Sequence, residues 1–265
     1  MWGGWGMIEV KNVGKSFEGK MVLQDVSANM EAGKTNLIIG TSGSGKTVLM
    51  KIMIGLMQVD TGSVLYEGRD ITKMNDKELK EVRKQIGMMF QGGALFDSKT
   101  VENNVMFPLD MFTKMTYREK VKRVNEVLDR VNLKDSNRKF PAEISGGMKK
   151  RVALARAIVQ NPKYLFCDEP NSGLDPQTSL VIDKLVKEIT LEYHITTIIN
   201  THDMNTVMES GDHIVYLYQG NKQWEGSSQD IIFSKDERLN AFIFASDFLT
   251  KAKEMSMMEA RKKDG

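Results

Sequence analysis

The sequence lacks the features that mark secreted or membrane-spanning chains. Its single cysteine, Cys167, excludes an internal disulfide and fits a reducing compartment. No apolar run approaches the roughly 20 residues that a membrane helix needs. The first six residues carry no cationic segment and no long apolar core, so we expect no secretory signal there. These absences predict a chain in a reducing compartment that does not itself cross a membrane.

An excess of charge of one sign is also missing. The 37 Lys and Arg residues nearly balance the 35 Asp and Glu residues, and the net charge of +2 gives no argument for nucleic-acid binding. No long linker, low-complexity tract or internal repeat divides the chain. A length of 265 residues fits one large domain, or one domain with a lobe. We therefore expect one folded unit and no nucleic-acid partner.

Three of the 22 glycines lie in one short stretch whose spacing is informative. Four residues separate Gly40 from Gly45, which is the spacing of a phosphate-binding loop when Lys and Thr follow at once. An apolar run at 35–39 predicts a buried strand before the loop, and residues 48–53 suit a helix start. Glycines let backbone N–H groups approach phosphates, and a helix N-terminus adds free N–H groups and partial positive charge. The residues predicted to hold a nucleoside triphosphate are Gly40, Thr41, Ser42, Gly43, Ser44, Gly45, Lys46 and Thr47.

Two side chains of this loop have predicted roles of their own. Lys46 should reach the β- and γ-phosphate oxygens, and the Thr47 hydroxyl should ligate Mg²⁺. The alternative is a Gly/Ser turn that merely precedes a helix. The motifs further along the chain argue against that alternative.

Two carboxylates end the apolar run 164–169. Because adjacent strand residues point to opposite faces, Asp168 and Glu169 should have different functions. Asp168 can hold Mg²⁺, and Glu169 can polarise a water as general base. The alternative is a strand that ends in solvated acids. Cys167, just before them, is interpreted as a core residue without a chemical role.

An amide and an imidazole occupy similar positions at the ends of other predicted strands. Gln91 follows the run 86–90, and His202 follows the run 196–201. Gln91 is either a solvated polar residue or a sensor of Mg²⁺ and attacking water. Alternating strands and helices imply a parallel sheet, whose ligand crevice lies at the carboxyl ends of the strands. We therefore expect the phosphate-binding loop, both carboxylates, Gln91 and His202 to converge.

Three further segments carry weaker signals. Ser145 is well placed to cap a helix over 148–160, which would form a second anion-ready N-terminus with Gly146 and Gly147, although Ser-Gly-Gly is often a plain loop. Phe17 either stacks on a nucleotide base or covers the edge of a small sheet. Residues 172–176 form a tight turn that contains Asp175.

Other predicted elements are β-rich structure over 7–32, a strand at 63–66, helices over 76–85, 117–131 and 176–193, a strand at 214–218 and helical structure over 231–254.

Together these motifs resemble the nucleotide-binding subunit of an ATP-binding cassette (ABC) transporter, over roughly residues 8–245. The resemblance implies an α/β fold: a P-loop NTPase with a RecA-like parallel-sheet core, a small antiparallel β subdomain and a helical signature subdomain at about 92–160. A helical tail would follow at 246–265. The matching motifs are the Walker A loop, the glutamine loop at Gln91, the signature at 144–148, the Walker B strand and the His202 switch.

The resemblance also implies ligands and partners. Mg²⁺ would be held by Thr47, Gln91 and Asp168, while Lys46, Gln91, Glu169 and His202 would serve catalysis. Two copies would pair head to tail, so that Ser145, Gly146 and Gly147 of one close over the ATP bound by the other. Phe17 would stack on the base, and Asp175 would complete the site. Separate integral-membrane permease subunits would hold the pair at the cytoplasmic face of the inner membrane, as a peripheral protein.

A narrower resemblance links the chain to the ATPases of MCE-type (mammalian-cell-entry) lipid transport systems. It is carried by Gln91-Gly92-Gly93-Ala94-Leu95-Phe96, by residues 101–109, by signature Met148 and by the lead-in at 141–144. It implies phospholipid transport across a bacterial envelope with an MCE-domain lipid-binding partner. Ile144 in place of Leu and Thr41 in place of Pro are departures that remove no catalytic atom.

Three alternatives stay open at this point. The first is the ATPase of an importer or exporter for another substrate, because residues 92–109 would contact the permease and not the cargo. The second is a non-transport cassette, although the 265 residues contain no second cassette and no long coiled-coil insertion. The third is a regulatory ATP-binding module, against which the presence of both Glu169 and His202 argues.

Overall fold

Ten strands form two sheets in this computed structural model, which describes residues 6–245, 249–251, 253–255 and 258. The strands are β1 (Ile8–Phe17), β2 (Lys20–Met30), β3 (Thr35–Ile39), β4 (Thr61–Tyr66), β5 (Arg69–Asp70), β6 (Ile86–Met89), β7 (Tyr164–Asp168), β8 (Thr196–Thr201), β9 (His213–Tyr218) and β10 (Asn221–Gly226). The larger sheet has the order β10-β9-β3-β8-β7-β6, and the smaller has the order β2-β1-β4-β5. The division matches the expected parallel core and small antiparallel unit.

The larger sheet is parallel from β9 to β6, with β10 added antiparallel at one edge. Its central strands β3, β7 and β8 are almost entirely buried, because helices cover both faces of a parallel sheet. Four residues lie side by side across neighbouring strands, in the order Leu37, Ile199, Cys167 and Met89. The carboxyl ends of β3, β8, β7 and β6 therefore meet at one edge.

Nine helices accompany the sheets within the described residues. They are α1 (Lys46–Met53), α2 (Asp76–Arg83), α3 (Val101–Phe112), α4 (Tyr117–Arg130), α5 (Gly146–Ile158), α6 (Pro176–Glu192), α7 (Met204–Ser210), α8 (Ser228–Phe233) and α9 (Glu237–Ile243). Ser145 caps α5 as predicted, since its Oγ accepts from Met148 N at 3.2 Å. None of the helices among the described residues is at once long and apolar enough to cross a membrane.

The C-terminal region differs from the single helical stretch predicted over 231–254. Ser234 leaves α8 with an extended backbone, and the side chain of Asp236 caps α9 by accepting from Leu239 N at 2.7 Å. Local capping therefore splits the stretch into two helices. Of the predicted tail 246–265, residues 249–251, 253–255 and 258 are helical, and the others lie outside the described residues.

Helix α5 packs unusually close to the sheet. At Gly87 in β6, an added Cβ would lie 2.2 Å from the backbone oxygen of Ala157, far inside van der Waals contact. The residues of α5 that face the sheet are buried, among them Val152 and Leu154. Because β6 leads into the segment that begins at Gln91, this contact fixes the position of α5 relative to that segment.

Gly87→Ala should therefore destabilise the protein by about 2 kcal/mol, since overpacking against a backbone oxygen cannot be relieved by a rotamer change. Denaturant unfolding followed by circular dichroism measures the change. Gly92→Ala is the matched control, because a Cβ there meets no atom within 4 Å, and it should change the unfolding free energy by less than about 0.5 kcal/mol. Equal effects of the two substitutions would refute the close-packing interpretation.

Candidate functional site

The loop between β3 and α1 has a backbone that excludes side chains at two points. Gly40 has φ 150°, and a Cβ there would lie 2.3 Å from Leu217 O. Gly45 has φ 104° and precedes α1, where a Cβ would lie 2.6 Å from Leu23 Cδ2. Both positions therefore require glycine. The loop is thus wedged between β2 and β9, and it leaves the first N–H groups of α1 directed outward, as anion binding requires.

Lys46 is folded back onto this loop. Its ammonium donates to Gly40 O at 2.8 Å and to Thr41 O at 3.0 Å, and the residue is only 7% exposed. Burial lowers the pKa of Lys46, while the nearby Glu169 and Asp168 carboxylates act in the opposite direction. The chain thus holds a cation at the loop with carbonyl partners that an anionic ligand can replace.

A cavity of about 600 Å³ opens beside this loop. Its lining combines the loop with side chains from the ends of three other strands: Gln91, Glu169 and His202. The convergence expected from the strand-end motifs is therefore observed for Gln91, Glu169 and His202, whereas Asp168 does not line the cavity. The full set of lining residues is Val22, Thr41, Ser42, Gly43, Gly45, Lys46, Thr47, Val48, Gln91, Glu169, His202, Met204 and Phe242.

The two carboxylates at the end of β7 are separated by a turn and not by strand alternation. Asp168 ends the strand and accepts from Asn200 Nδ2 at 3.1 Å. Glu169 lies beyond it in a left-handed conformation, φ 50°, and its N–H donates to Asn200 O at 3.0 Å. The expectation of two environments holds, but its predicted cause was wrong, because Glu169 is not part of the strand.

Glu169 and His202 contact each other directly. Nδ1 of His202 lies 2.7 Å from Oε2 and 2.9 Å from Oε1 of Glu169. Because an ionised carboxylate only accepts hydrogen bonds, Nδ1 carries the proton of this contact. The imidazole is mostly exposed, whereas the carboxylate is largely buried at the cavity wall. The contact orients the carboxylate of Glu169 toward the cavity.

The oxygen atoms available to a divalent cation are those of a hydroxyl, an amide and a carboxylate. Thr47 and Gln91 line the cavity, and Asp168 lies close enough to Lys46 to influence its pKa. Among the described residues no group of three or more His, Cys, Asp and Glu side chains forms a metal cluster. A hard cation that shares its coordination with a phosphate suits such a set, because Mg²⁺ keeps few protein ligands.

The buried polar atoms of the loop also suit a phosphate. Ser44 Oγ is buried and has no hydrogen-bond partner among the described residues. It lies next to the Gly40 backbone, whose added Cβ would be 2.6 Å away. Together with the Lys46 ammonium and the N-terminus of α1, this hydroxyl gives the loop more hydrogen-bond donors than there are acceptors for them within the chain.

The remaining predicted residues lie outside this cavity. Phe17 ends β1 and is 42% exposed, with Lys15 Nζ 5.6 Å from its ring centroid. Ser145, Gly146 and Gly147 lie at the N-terminus of α5, beside the N-terminus of α6, where an added Cβ on Gly147 would lie 2.6 Å from Thr178 Cγ2. Asp175 caps α6 by accepting from Thr178 N at 3.0 Å. The N-termini of α5 and α6 thus lie side by side, on a surface outside the cavity lining.

Two buried polar residues of the site were not predicted. Asn200 is fully buried in β8 and touches both Asp168 and the backbone of Glu169. Lys150 is buried in α5, and its ammonium donates to Gln91 O. No local signal in the sequence singles them out, because Asn200 lies among the threonines of β8 and Lys150 lies between Lys149 and Arg151. Hydrophobic Met204 and Phe242 complete one wall of the cavity.

Comparisons with known proteins point in one direction. The family model described as "ABC transporter" matches residues 23–172. The "probable ribonucleotide transport ATP-binding protein mkl" of Mycobacterium leprae (strain TN) is 36% identical over 264 residues, 96% of this chain and 76% of that protein. The "methionine import ATP-binding protein MetN" of Carboxydothermus hydrogenoformans is 42% identical over 232 residues, 86% of this chain and 68% of that protein. The chain spans as little as 66% of other mycobacterial relatives.

Solved structures agree with these matches. The dimeric ATP-binding cassette MJ0796, in a post-hydrolysis state bound to ADP and Pi, has 31% identity and a TM-score of 0.77, covering 83% of this chain and 98% of that one. The protein cbiO1 from Clostridium perfringens, part of the ABC transporter complex cbiONQ, has 29% identity and a TM-score of 0.80, covering 90% of this chain and 95% of that one. The fold expected from the sequence is therefore confirmed.

Lys46→Ala should lower the affinity for ATP at least about 100-fold, because two charge-assisted hydrogen bonds of roughly 1.5 kcal/mol each are lost. Isothermal titration calorimetry measures the affinity. Lys51→Ala removes the same charge from an exposed position of α1 and should leave the affinity unchanged. An unaltered affinity in Lys46→Ala would remove this lysine from the phosphate site.

Proposed function

This chain belongs to the ABC transporter family, and from that membership we propose that its ATPase activity drives the transport of lipid, in the first place phospholipid, across a bacterial cell envelope. The chain is the ATP-binding subunit of a transporter, and it hydrolyses ATP with Mg²⁺. The main structural support for ATPase activity is that Lys46, Gln91, Glu169 and His202 line one cavity. The cargo and the partner chains are the proposed part.

The geometry suggests how each side chain acts. Lys46 exchanges its two carbonyl partners for β- and γ-phosphate oxygens, and the loop N–H groups bind the remaining oxygens. Glu169 takes the proton of the attacking water, held in position by its contact with His202. Bound Mg²⁺ would neutralise charge between the phosphates, and Thr47, Gln91 and Asp168 are the residues that would hold it. Phe17, at the end of the neighbouring hairpin, would stack on the base.

A second copy of the chain would complete the site. The cavity is partly open, and Ser145, Gly146 and Gly147 at the N-terminus of α5 lie outside its lining. A helix N-terminus with a serine cap is suited to a phosphate, yet in this chain it faces no phosphate loop. Head-to-tail pairing would bring it to the partner's ATP and would place Asp175 at the same interface. The similarity to a dimeric ATP-binding cassette supports this arrangement.

An apolar groove of about 400 Å³ between β6, α3 and α5 is the proposed contact with the membrane permease. Phe90, Phe96 and Phe112 line it and are each at least 40% exposed, which is unusual for phenylalanine on a free surface. The fully buried Asn104 holds the loop that contains Phe96. Its Oδ1 accepts from Phe96 N at 2.8 Å, and its Nδ2 donates to Phe96 O at 3.1 Å. The permease would hold the cassette at the cytoplasmic face of the inner membrane.

The lipid assignment rests on the same part of the chain. The segments 91–96 and 101–109, which resemble those of MCE-type ATPases, contribute Ala94, Phe96, Phe107 and Pro108 to the groove, and residues 101–109 form most of α3. An MCE-domain protein is therefore the proposed second partner. A different cargo is the competing candidate, because the relatives carry names that refer to ribonucleotide transport and methionine import. The two candidates share the ATPase mechanism and differ in what the permease carries.

Glu169→Gln should bind ATP with normal affinity, lose at least about 100-fold in turnover, and accumulate as a closed dimer. The reason is that the amide keeps the size of the side chain but cannot take the proton of the attacking water. Phosphate release gives the turnover, and size-exclusion chromatography with light scattering gives the mass with and without ATP. Normal turnover in this variant would remove Glu169 from the role of base.

Adding Ser145→Arg to Glu169→Gln should abolish the ATP-dependent dimer, since the longer side chain overfills the partner's phosphate site. Asp129→Arg, at an exposed position of α4, changes charge in the same helical region and should leave the dimer intact. A dimer that persists with Ser145→Arg would contradict head-to-tail closure through α5.

Tagged Glu169→Gln, captured with ATP from detergent-solubilised native membranes, should carry a permease, an MCE-domain protein and phospholipid, identified by mass spectrometry. Phe112→Asp should lose the permease while retaining ATP, because a carboxylate would be buried in the apolar groove. Leu191→Asp, at an exposed position of α6, is the control. Recovery of a solute-binding protein without lipid would overturn the lipid assignment and leave the ATPase unaffected.

A further inference from the structure

Lys150 is a buried cation whose partners are two backbone carbonyls of the catalytic region. It lies in α5, is 6% exposed, and its ammonium donates to Gln91 O and, at 3.4 Å, to Glu169 O. Among the described residues no carboxylate lies within 4 Å of it. Burial lowers the pKa of Lys150, while Cys167 and the Glu169 carboxylate act in the opposite direction. The strongest contacts of the Lys150 ammonium are therefore with backbone carbonyls and not with a paired carboxylate.

The two carbonyls belong to the two segments whose side chains enter the nucleotide cavity. Gln91 begins the loop after β6, and Glu169 begins the turn after β7. An ammonium has three donors, so one Lys150 side chain can bind both carbonyls at once. It thereby fixes the distance between the two segments and the orientation of the Glu169 backbone, which is in the left-handed region with φ 50°.

Helix α5 holds the glutamine loop at a second point. Arg156 donates to Gly93 O at 2.6 Å and to Ala94 O at 2.7 Å. The N-terminal cap of the same helix is Ser145, five residues before Lys150 and roughly 7.5 Å away along the axis. Helix α5 thus connects two places. At its N-terminus, Ser145 would meet the partner's nucleotide, and further along it contacts the backbone of this chain's own Gln91 and Glu169.

We propose that Lys150 is a positioning residue that couples the two ATP sites of the dimer, an inference that rests on the proposed head-to-tail pairing. When the Ser145 end of α5 engages the partner's γ-phosphate, Lys150 sets Glu169 and Gln91 for hydrolysis of the nucleotide in its own cavity. Lys150 touches neither nucleotide. Its loss leaves nucleotide binding intact and removes the alignment of the base.

The test compares Lys150→Met, which keeps the apolar stem, with Lys150→Arg, which keeps charge and donors. In the full chain, Lys150→Met should lower kcat at least tenfold with the Kd for ADP changed less than twofold, and Lys150→Arg should restore at least a third of kcat. Hydrogen exchange of peptides spanning 88–94 and 166–172 should accelerate in Lys150→Met. Lys122→Met, at an exposed position of α4, is the matched control for lost charge.

Coupling is measured in mixed dimers that carry Ser145→Arg in one subunit only. The subunit that carries Ser145→Arg still has its own nucleotide covered by Ser145 of the intact partner. Turnover of that nucleotide should nevertheless fall. Adding Lys150→Met to the same subunit should cause no further loss. Unchanged kcat in Lys150→Met, or fully additive losses in the mixed dimer, would overturn the proposal. An absence of Mg²⁺-dependent ATP hydrolysis in the wild-type chain would instead refute the proposed function.

Discussion

The parallel alignment of β3, β8, β7 and β6 is the constraint on which the rest of the structure depends. Four chain segments can deliver a lysine, a glutamine, a glutamate and a histidine to one cavity only because their strands end at the same edge. Two contacts keep that edge in order. Asn200 joins neighbouring strands through Asp168 and the Glu169 backbone, and the Gly87 contact with Ala157 fixes α5 against β6.

Local signals in the sequence were sufficient for the phosphate-binding loop, for most strands of the larger sheet and for the cap at Ser145. The spacing from Gly40 to Thr47, the apolar runs before Gln91, Asp168 and His202, and the cap at Ser145 each depend on neighbours a few residues away. No separate helix was predicted at α3 although Val101, Val105 and Leu109 recur at four-residue intervals, because Pro108 lies inside it and its hydrophobicity is spread around the helix. The break between α8 and α9 depends on capping by Asp236, which a periodicity argument does not weigh.

Contacts between residues far apart in the sequence could not be predicted from the sequence alone. Lys150 meets Gln91 O across 59 positions, and Asn200 meets Asp168 across 32. Nothing in the local pattern distinguishes such residues from ordinary surface lysine or strand asparagine. The left-handed backbone of Glu169 is likewise set by its bond to Asn200 O. Buried polar residues whose partners are distant in the sequence are thus the positions where the tertiary structure adds most to the prediction.

The burial of Cys167 has a practical consequence for site-specific labelling of this chain. Its thiol is completely buried in β7, and burial raises its pKa to about 12. Maleimides and disulfide reagents react with thiolates that they can reach, so the native thiol stays silent toward them in the folded chain. A cysteine introduced at an exposed position can therefore carry a fluorophore or spin label selectively, without first removing the native one from beside Asp168.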